Sequence, residues 1–404
     1  MDKTPVALLI GASSESLIAI DYAKSLGLKV VAFDANNAAP GLKKADISYN
    51  QDITDPSKII ATLERDGLIP VVILPVPIGK MLTTIGTLND HYKLSGPSFE
   101  MADICTDKLK FALALSGGGF WHKMKPMPNP IQPTDKKSLR NARFELIKPD
   151  LDISDFKFPL IIKPRFGSGS RDVIAITDIN ELNQILKDSK FTKEDFIAEE
   201  LIDGIEYGLD AVVINGEFNH ILMRQKLITP MPYRQAIGNI SVDENPAISQ
   251  YLQEIITKLN IDNTLLNADI IITPNGEPFI IELATRPSGH HLSKFIELAT
   301  GINPTKEWIN RSLNLPYSFS AKFRKNMIIR YFDIEGECQM AEFEALKDEL
   351  GIIEYQCNIS SPLSKVTDGA SIMSRGYAII EANSKEQCIK NSQKLMSNFK
   401  RIKD

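Results

Sequence analysis

The chain has 404 residues, enough for roughly two to four domains that each bury a core of their own. Apolar residues make up 43% and charged residues 24%, an ordinary globular balance, and a net charge of −5 provides no broad positive field for nucleic acid or an anionic membrane. No apolar run reaches the ~20 residues of a membrane helix, Val6–Ile10 is too short for a secretory leader, and Cys105, Cys338, Cys357 and Cys388 fit no metal-ligand spacing, which reads as reduced thiols in the cytoplasm.

The first hundred residues alternate strand and helix. Val6–Ile10 reads as a buried strand, Ser14–Leu26 as a helix and Lys29–Phe33 as a second strand. Pro56–Arg65 is another helix and Pro70–Leu74 another strand. Alternating units of this kind predict a parallel sheet with right-handed crossovers. Gly11 and Asp34 imitate a dinucleotide fingerprint, but Ser13 and Ser16 stand where its second and third glycines belong. A Rossmann-like domain facing a substrate is the better reading. Gly11–Glu15 also lacks the last glycine of a nucleophile elbow, so Ser13 is no nucleophile candidate.

Ala102–Leu115 reads as one helix carrying Asp107-Lys108, and Ser116–Pro133 as a mobile or partner-facing loop rich in Gly, Pro and Met. Next comes a β-rich run, Phe158–Ile162, that ends in Lys163. Gly167, Ser168, Gly169 and Ser170 follow before a second run, Val173–Ile176. This is a hairpin with a small, hydroxyl-lined tip and a cation at its base. Polyphosphate needs such a tip, because backbone N–H groups approach its oxygens only where no Cβ intervenes. A helix over Ile179–Lys187 completes a small α+β lid.

Phe196–Glu206 reads as a strand, a connector through Glu199, Glu200, Ile202 and Gly204, and a second strand starting at Glu206. Such a connector can hold a purine by its backbone and a ribose by its acid; a solvated acidic turn is the plainer alternative. Glu206–Lys226 is a long β-rich stretch, and Asn245–Leu259 has helical spacing. Leu265–Thr273 and Pro278–Leu283 are two strands around the turn Pro274–Glu277. They carry Asp269 and Glu282, which converge if the strands pair in register. Two carboxylates plus substrate phosphates suffice for Mg²⁺. Arg286 follows and could hold a carboxylate or acyl phosphate in bidentate fashion. His290 and His291 read as the start of a helix at Leu292. Asn310–Ser320 looks like a boundary, and the last ~85 residues suit a small α+β domain.

The lysine-then-glycine hairpin, the Glu-Glu-Leu-Ile-x-Gly-x-Glu connector at Glu199–Glu206 and the acid pair ending in Glu-x-x-x-Arg at Glu282–Arg286 occur in one order. In that order the chain resembles the ATP-grasp carboxylate–amine ligases, in the amino-acid ligase and biotin carboxylase branch. The resemblance implies an α/β and α+β architecture. A Rossmann-like domain would span 1–100, an ATP-grasp domain 101–318 with its lid at about 130–200, and a C-terminal α+β domain 319–404.

The resemblance also implies roles. Lys108 and Lys163 would contact ATP phosphates, under a lid loop of Gly167, Ser168, Gly169 and Ser170. Glu199, with backbone contacts from Glu200 and Ile202, would face adenine, and Glu206 would hold the ribose. Asp269 and Glu282 would bind Mg²⁺, which Mn²⁺ could replace, and Arg286 would steady the acyl-phosphate transition state. Two departures stand out: Ala284 replaces a frequent asparagine ligand, and Asp172 a frequent glycine. The implied activity is activation of a carboxylate, by preference an amino acid's, for attack by an amine, in a cytoplasmic homodimer. The stretch Leu222–Asn239, with Met223, Arg224, Lys226, Tyr233 and Arg234, would help line the substrate cavity. A bicarbonate-using carboxylase type, a phosphoribosylamine–glycine ligase type and a non-catalytic ATP-binding module are the alternatives.

Overall fold

The run Val6–Ile10 has no exposed side chain, and a strand apolar throughout needs cover on both faces. It receives it inside a four-stranded parallel sheet. Thr4–Ile10 lies between Lys29–Asp34 and Leu68–Ile73, and Ile47–Asn50 is outermost. Helices Leu17–Ser25, Pro56–Arg65 and Leu82–Tyr92 pack their apolar residues on it. The helix expected from Ser14 begins instead as a 3-10 turn, Ser14–Ser16.

The computed structural model describes residues 4–116, 139–148, 151, 157–167, 169, 171–191, 195–230, 234–336, 338–339, 343–359, 363–366 and 368–401. Ser168, Ser170, Tyr233 and the loop Ser116–Pro133 beyond Ser116 lie outside the described residues.

The single helix expected over Ala102–Leu115 is two helices, Phe99–Thr106 and Lys108–Leu115. Asp107 breaks it. Its backbone is extended (φ −107°, ψ 104°), and its carboxylate accepts from the N–H groups of Leu109 and Lys110, capping the second helix. A four-stranded antiparallel sheet follows in the order Phe144–Leu146, Phe196–Glu200, Leu160–Pro164, Ile174–Ile176. Helix Ile179–Lys187, capped by Asp178, closes its core through Leu182.

The β-rich stretch expected from Glu206 to Lys226 is two strands, Ile205–Ile214 and Glu217–Ile228. Asn215-Gly216 joins them, with φ of +55° and +74°. Asn-Gly is the dipeptide that tight hairpins favour, so the break had a local signal. These strands lie within an eight-stranded sheet. Its order is Pro278–Ala284, Thr264–Ile272, Ile205–Ile214, Glu217–Ile228, Ala236–Val242, Met327–Tyr331, Gly376–Glu381, Ile352–Cys357. The last three strands come from the C-terminal part of the chain, so that part extends the large sheet. This mixture of parallel and antiparallel layers is the α/β and α+β class expected.

The large sheet is apolar on one face. Leu209, Ala211, Met223, Ala268 and Ile270 pack there against helix Pro246–Lys258. The other face changes along its length. Val212, Leu222 and Leu265 pack under helix Leu292–Thr300, whereas Asp210 and Glu206, further along the same side of the strand, are polar. The polar end faces the lid.

Candidate active site

A cavity of about 170 Å³ lies between the lid sheet and the polar end of the large sheet. Lys108 lines it from the start of its helix, Lys163 and Gly167 from the strand Leu160–Pro164 and the turn after it, and Glu199, Glu200 and Ile202 from the connector. Glu206, Asp269 and Glu282 line it from the large sheet, with Ile161, Ile271 and Phe279 as apolar walls. Nine sequence-derived candidates therefore meet in one place.

Lys163 ends the strand Leu160–Pro164 and is only 5% exposed. Its Nζ lies 2.6 Å from the Glu199 carboxylate on the neighbouring strand, so the buried side chain has an ion-pair partner. Lys108 opens its helix and donates from Nζ to the Gly167 carbonyl at 3.0 Å. Its own N–H donates to the Arg165 carbonyl at 3.1 Å. The Arg165 guanidinium in turn grips the fully buried Asp107 carboxylate at 2.6 and 3.2 Å. The base of the glycine hairpin is thus tied to the start of the helix.

Asp269 and Glu282 are direct cross-strand partners, with a register shift just beyond Asp269. Their side chains share one face, as the expected metal pair requires. Asp269 is engaged by Lys226 Nζ at 2.5 Å. Glu206 is engaged by Arg234. Lys226, Arg234 and Arg171 all line the cavity. Their positions relative to a nucleotide-sized cleft were not foreseen, although Lys226 and Arg234 belong to the stretch expected near substrate. Arg224, two residues before Lys226, is instead 1% exposed and lines no part of the cavity.

Arg286 stands apart from the other candidates. It lines a neighbouring cavity of about 30 Å³ with Asn89, Thr285 and Trp308, and donates to the Pro287 carbonyl at 2.8 Å. Burial lowers its pKa, while Glu282, Glu15 and Asp269 oppose that shift. His290 and His291, expected as an ordinary helix start, both have φ of +59°. Burial lowers the pKa of His290, with Lys226 and Arg286 adding to the effect and Glu15 and Asp269 opposing it. Its carbonyl accepts from Tyr331 Oη at 2.8 Å, and His291 stacks on Tyr377. Asp34, which imitates a ribose acid, is spent on its own turn, accepting from the N–H groups of Ala12 and Asn36.

Among the described residues, no group of three or more His, Cys, Asp or Glu is gathered to hold a metal ion, and no helix is long and apolar enough to cross a membrane.

Residues 105–290 match the model of the ATP-grasp domain. A D-alanine–D-alanine ligase of Cupriavidus pinatubonensis is 24% identical over 183 residues, 41% of this chain and 56% of that protein. The chain thus spans little more than half the length of that relative. An L-arginine-specific L-amino acid ligase of Bacillus subtilis is 23% identical over 317 residues, 71% of this chain and 72% of that protein. Among solved structures, an L-amino acid ligase from Bacillus licheniformis superposes with a TM-score of 0.75 at 17% identity, covering 99% of this chain and 98% of that one.

Proposed function

We propose that the chain, whose residues 105–290 match the model of the ATP-grasp domain, is an ADP-forming ligase that joins a carboxylate to an amine. The carrying observation is the convergence of Lys108, Lys163, Asp269 and Glu282, from four separate elements, on one cavity. Two ammonium groups facing two adjacent carboxylates suit a nucleotide triphosphate with a divalent cation, and little else of that size.

Phosphoryl transfer needs positioning and charge neutralisation rather than a protein nucleophile. Lys108 and Lys163 would hold phosphate oxygens. Glu199, Glu200 and Ile202 would border the base, and Glu206 the ribose. Asp269 and Glu282 would hold Mg²⁺; the fit is supported by their being direct cross-strand partners that both line the cavity, with Lys226 as the cation the metal would displace from Asp269. When bound, Mg²⁺ would supply charge neutralisation for the phosphoryl group being transferred.

The reaction balances as follows. The substrate carboxylate takes the γ-phosphoryl group and ADP leaves. The amine then attacks the acyl carbon, phosphate departs and the amine loses a proton. Arg286 would steady the acyl group, and the hairpin over Arg165–Asp172 would keep water away. An amino acid is the favoured carboxylate, supported by the two amino-acid-joining relatives. The segments 1–100, 101–318 and 319–404 would serve as substrate-facing, ATP-grasp and C-terminal domains. A cytoplasmic homodimer goes with this reading, and light scattering tests the dimer.

The deciding experiment measures phosphate release from ATP and Mg²⁺ with pooled amino acids, with and without bicarbonate. Release that depends on the pools is expected. Release that needs bicarbonate alone would move the protein to a carboxylase, and ATP binding without release under any condition would sink the ligase reading.

A further inference from the structure

Ser288 follows Arg286 by two residues and is 3% exposed. Its Oγ has three partners. It donates to Asp210 Oδ1, and accepts from Arg224 Nη2 at 3.3 Å and Asn267 Nδ2 at 2.6 Å. A hydroxyl offers one proton and two lone pairs, so its capacity is filled. The three partners sit on three adjacent strands of the large sheet, with Asn267 directly opposite Asp210 and Arg224 opposite Gly208.

Arg224 is held from several sides. Its Nε and Nη2 lie 2.9 and 2.7 Å from Asp210 Oδ2, and its Nη1 donates to Asn239 Oδ1 at 2.8 Å. Gly208 provides the room, because a Cβ there would stand 2.6 Å from Nη1. None of Asp210, Arg224, Asn267 or Ser288 lines the larger cavity. A buried ion pair of this kind is a poor source of stability, since apolar residues of the same volume serve as well or better. Its value lies in what it orients.

What it orients is a strained turn. His290 and His291 are both left-handed, a conformation that is strained for a non-glycine residue and persists only where the surroundings over-determine it. Tyr331 holds the His290 carbonyl, and Glu15 accepts from the His291 N–H at 3.3 Å. Those contacts fix the far end of the turn. Ser288 fixes the near end, next to Arg286, whose guanidinium bonds within the same turn to Pro287.

We propose that Asp210, Arg224, Asn267 and Ser288 form a positioning clamp that locks the Arg286–His291 turn to the large sheet and so sets Arg286 for acyl transfer. The second half rests on the ligase reading; the clamp itself does not.

The test compares Ser288→Ala with Ser288→Thr in the full chain. Histidine-selective NMR reads the clamp without any turnover. In the alanine variant the ring signals of His290 and His291 should shift or broaden, that of His91 should stay, and threonine should restore the native spectrum. Amide formation by the alanine variant should fall about 100-fold, with the ATP KM changed by less than about twofold, as expected when a reacting group is misplaced by about an ångström. Phosphate release per amide formed should rise. Unchanged histidine signals would overturn the clamp. So would a parallel loss of melting temperature and ATP affinity that threonine does not rescue. If the wild type turns over nothing, the ligase reading fails and the NMR arm alone decides the clamp. Should Ser288→Ala not fold, Asn267→Ala removes one of the three bonds and is read in the same way.

Discussion

Lys226 Nζ lies 2.5 Å from Asp269 Oδ2, and Asp269 pairs directly across the strands with Glu282. A lysine therefore neutralises one of two adjacent carboxylates until another cation arrives. Glu282→Gln removes one of the two charges while keeping the shape. It should raise the Mg²⁺ concentration for half-maximal phosphate release by about tenfold or more and depress turnover. Electron paramagnetic resonance with Mn²⁺ should show weakened binding in the same variant. An unchanged titration would count against this pair as the metal site.

Lys163 is buried and forms an ion pair with Glu199 at the cavity. Lys163→Ala should lower ATP-dependent phosphate release by about 100-fold or more, because the phosphates lose a positioned charge in a water-poor cleft. Glu199→Gln separates the roles: it frees Lys163 without removing it, so its loss should be smaller. Full activity in Lys163→Ala would sink the nucleotide assignment.

Asp107 caps helix Lys108–Leu115 and pairs with Arg165 while having no exposed surface. Asp107→Ala leaves both duties undone. It should destabilise the fold by about 3–5 kcal/mol, the usual cost of stranding one member of a buried pair. Urea unfolding measures it. A change within error would mean that the lid base does not depend on this tie.

His220 titrates far from its ordinary range. Burial pushes its pKa down to about 4; Arg324 acts in the same sense, and Glu244 and Asp210 oppose it. Among the described residues its Nε2 is buried without a partner. Since the native state binds fewer protons than the unfolded chain, this contribution is complete above pH 6.5 and is lost as the pH falls toward 4. At most about 3 kcal/mol is at stake. His220→Gln should flatten the fall in melting temperature between pH 6.5 and 4. An identical slope in both proteins would remove the histidine as the cause.

Much of the cavity lining was legible locally. Lys163 before Gly167 raises the expectation of a phosphate hairpin by chemistry alone, and Asp269 and Glu282 flank an evident turn. Asn215-Gly216 was equally legible, yet the uniform β-rich run on either side hid it. The break at Asp107 was harder to see, because its cause is partly Arg165, which lies 58 residues on. The two histidines looked ordinary because left-handed strain leaves no pattern in a sequence. It is imposed by Tyr331, Tyr377 and Glu15 from other parts of the chain.

The sequence by itself determined the parallel N-terminal sheet and the order of the lysines and acids, and the motifs they form carry the family resemblance. The sheet follows from local periodicity and turn residues, which act over a few residues. Only the tertiary structure decided which charges meet: Lys226 with Asp269, Arg234 with Glu206, and Ser288 with Asp210, Arg224 and Asn267. It also set Arg286 in a cavity of its own and joined the C-terminal strands to the large sheet. The reason is strand register. A slip of one residue would turn each of these side chains to the opposite face, and register between distant strands is settled by packing of the whole sheet.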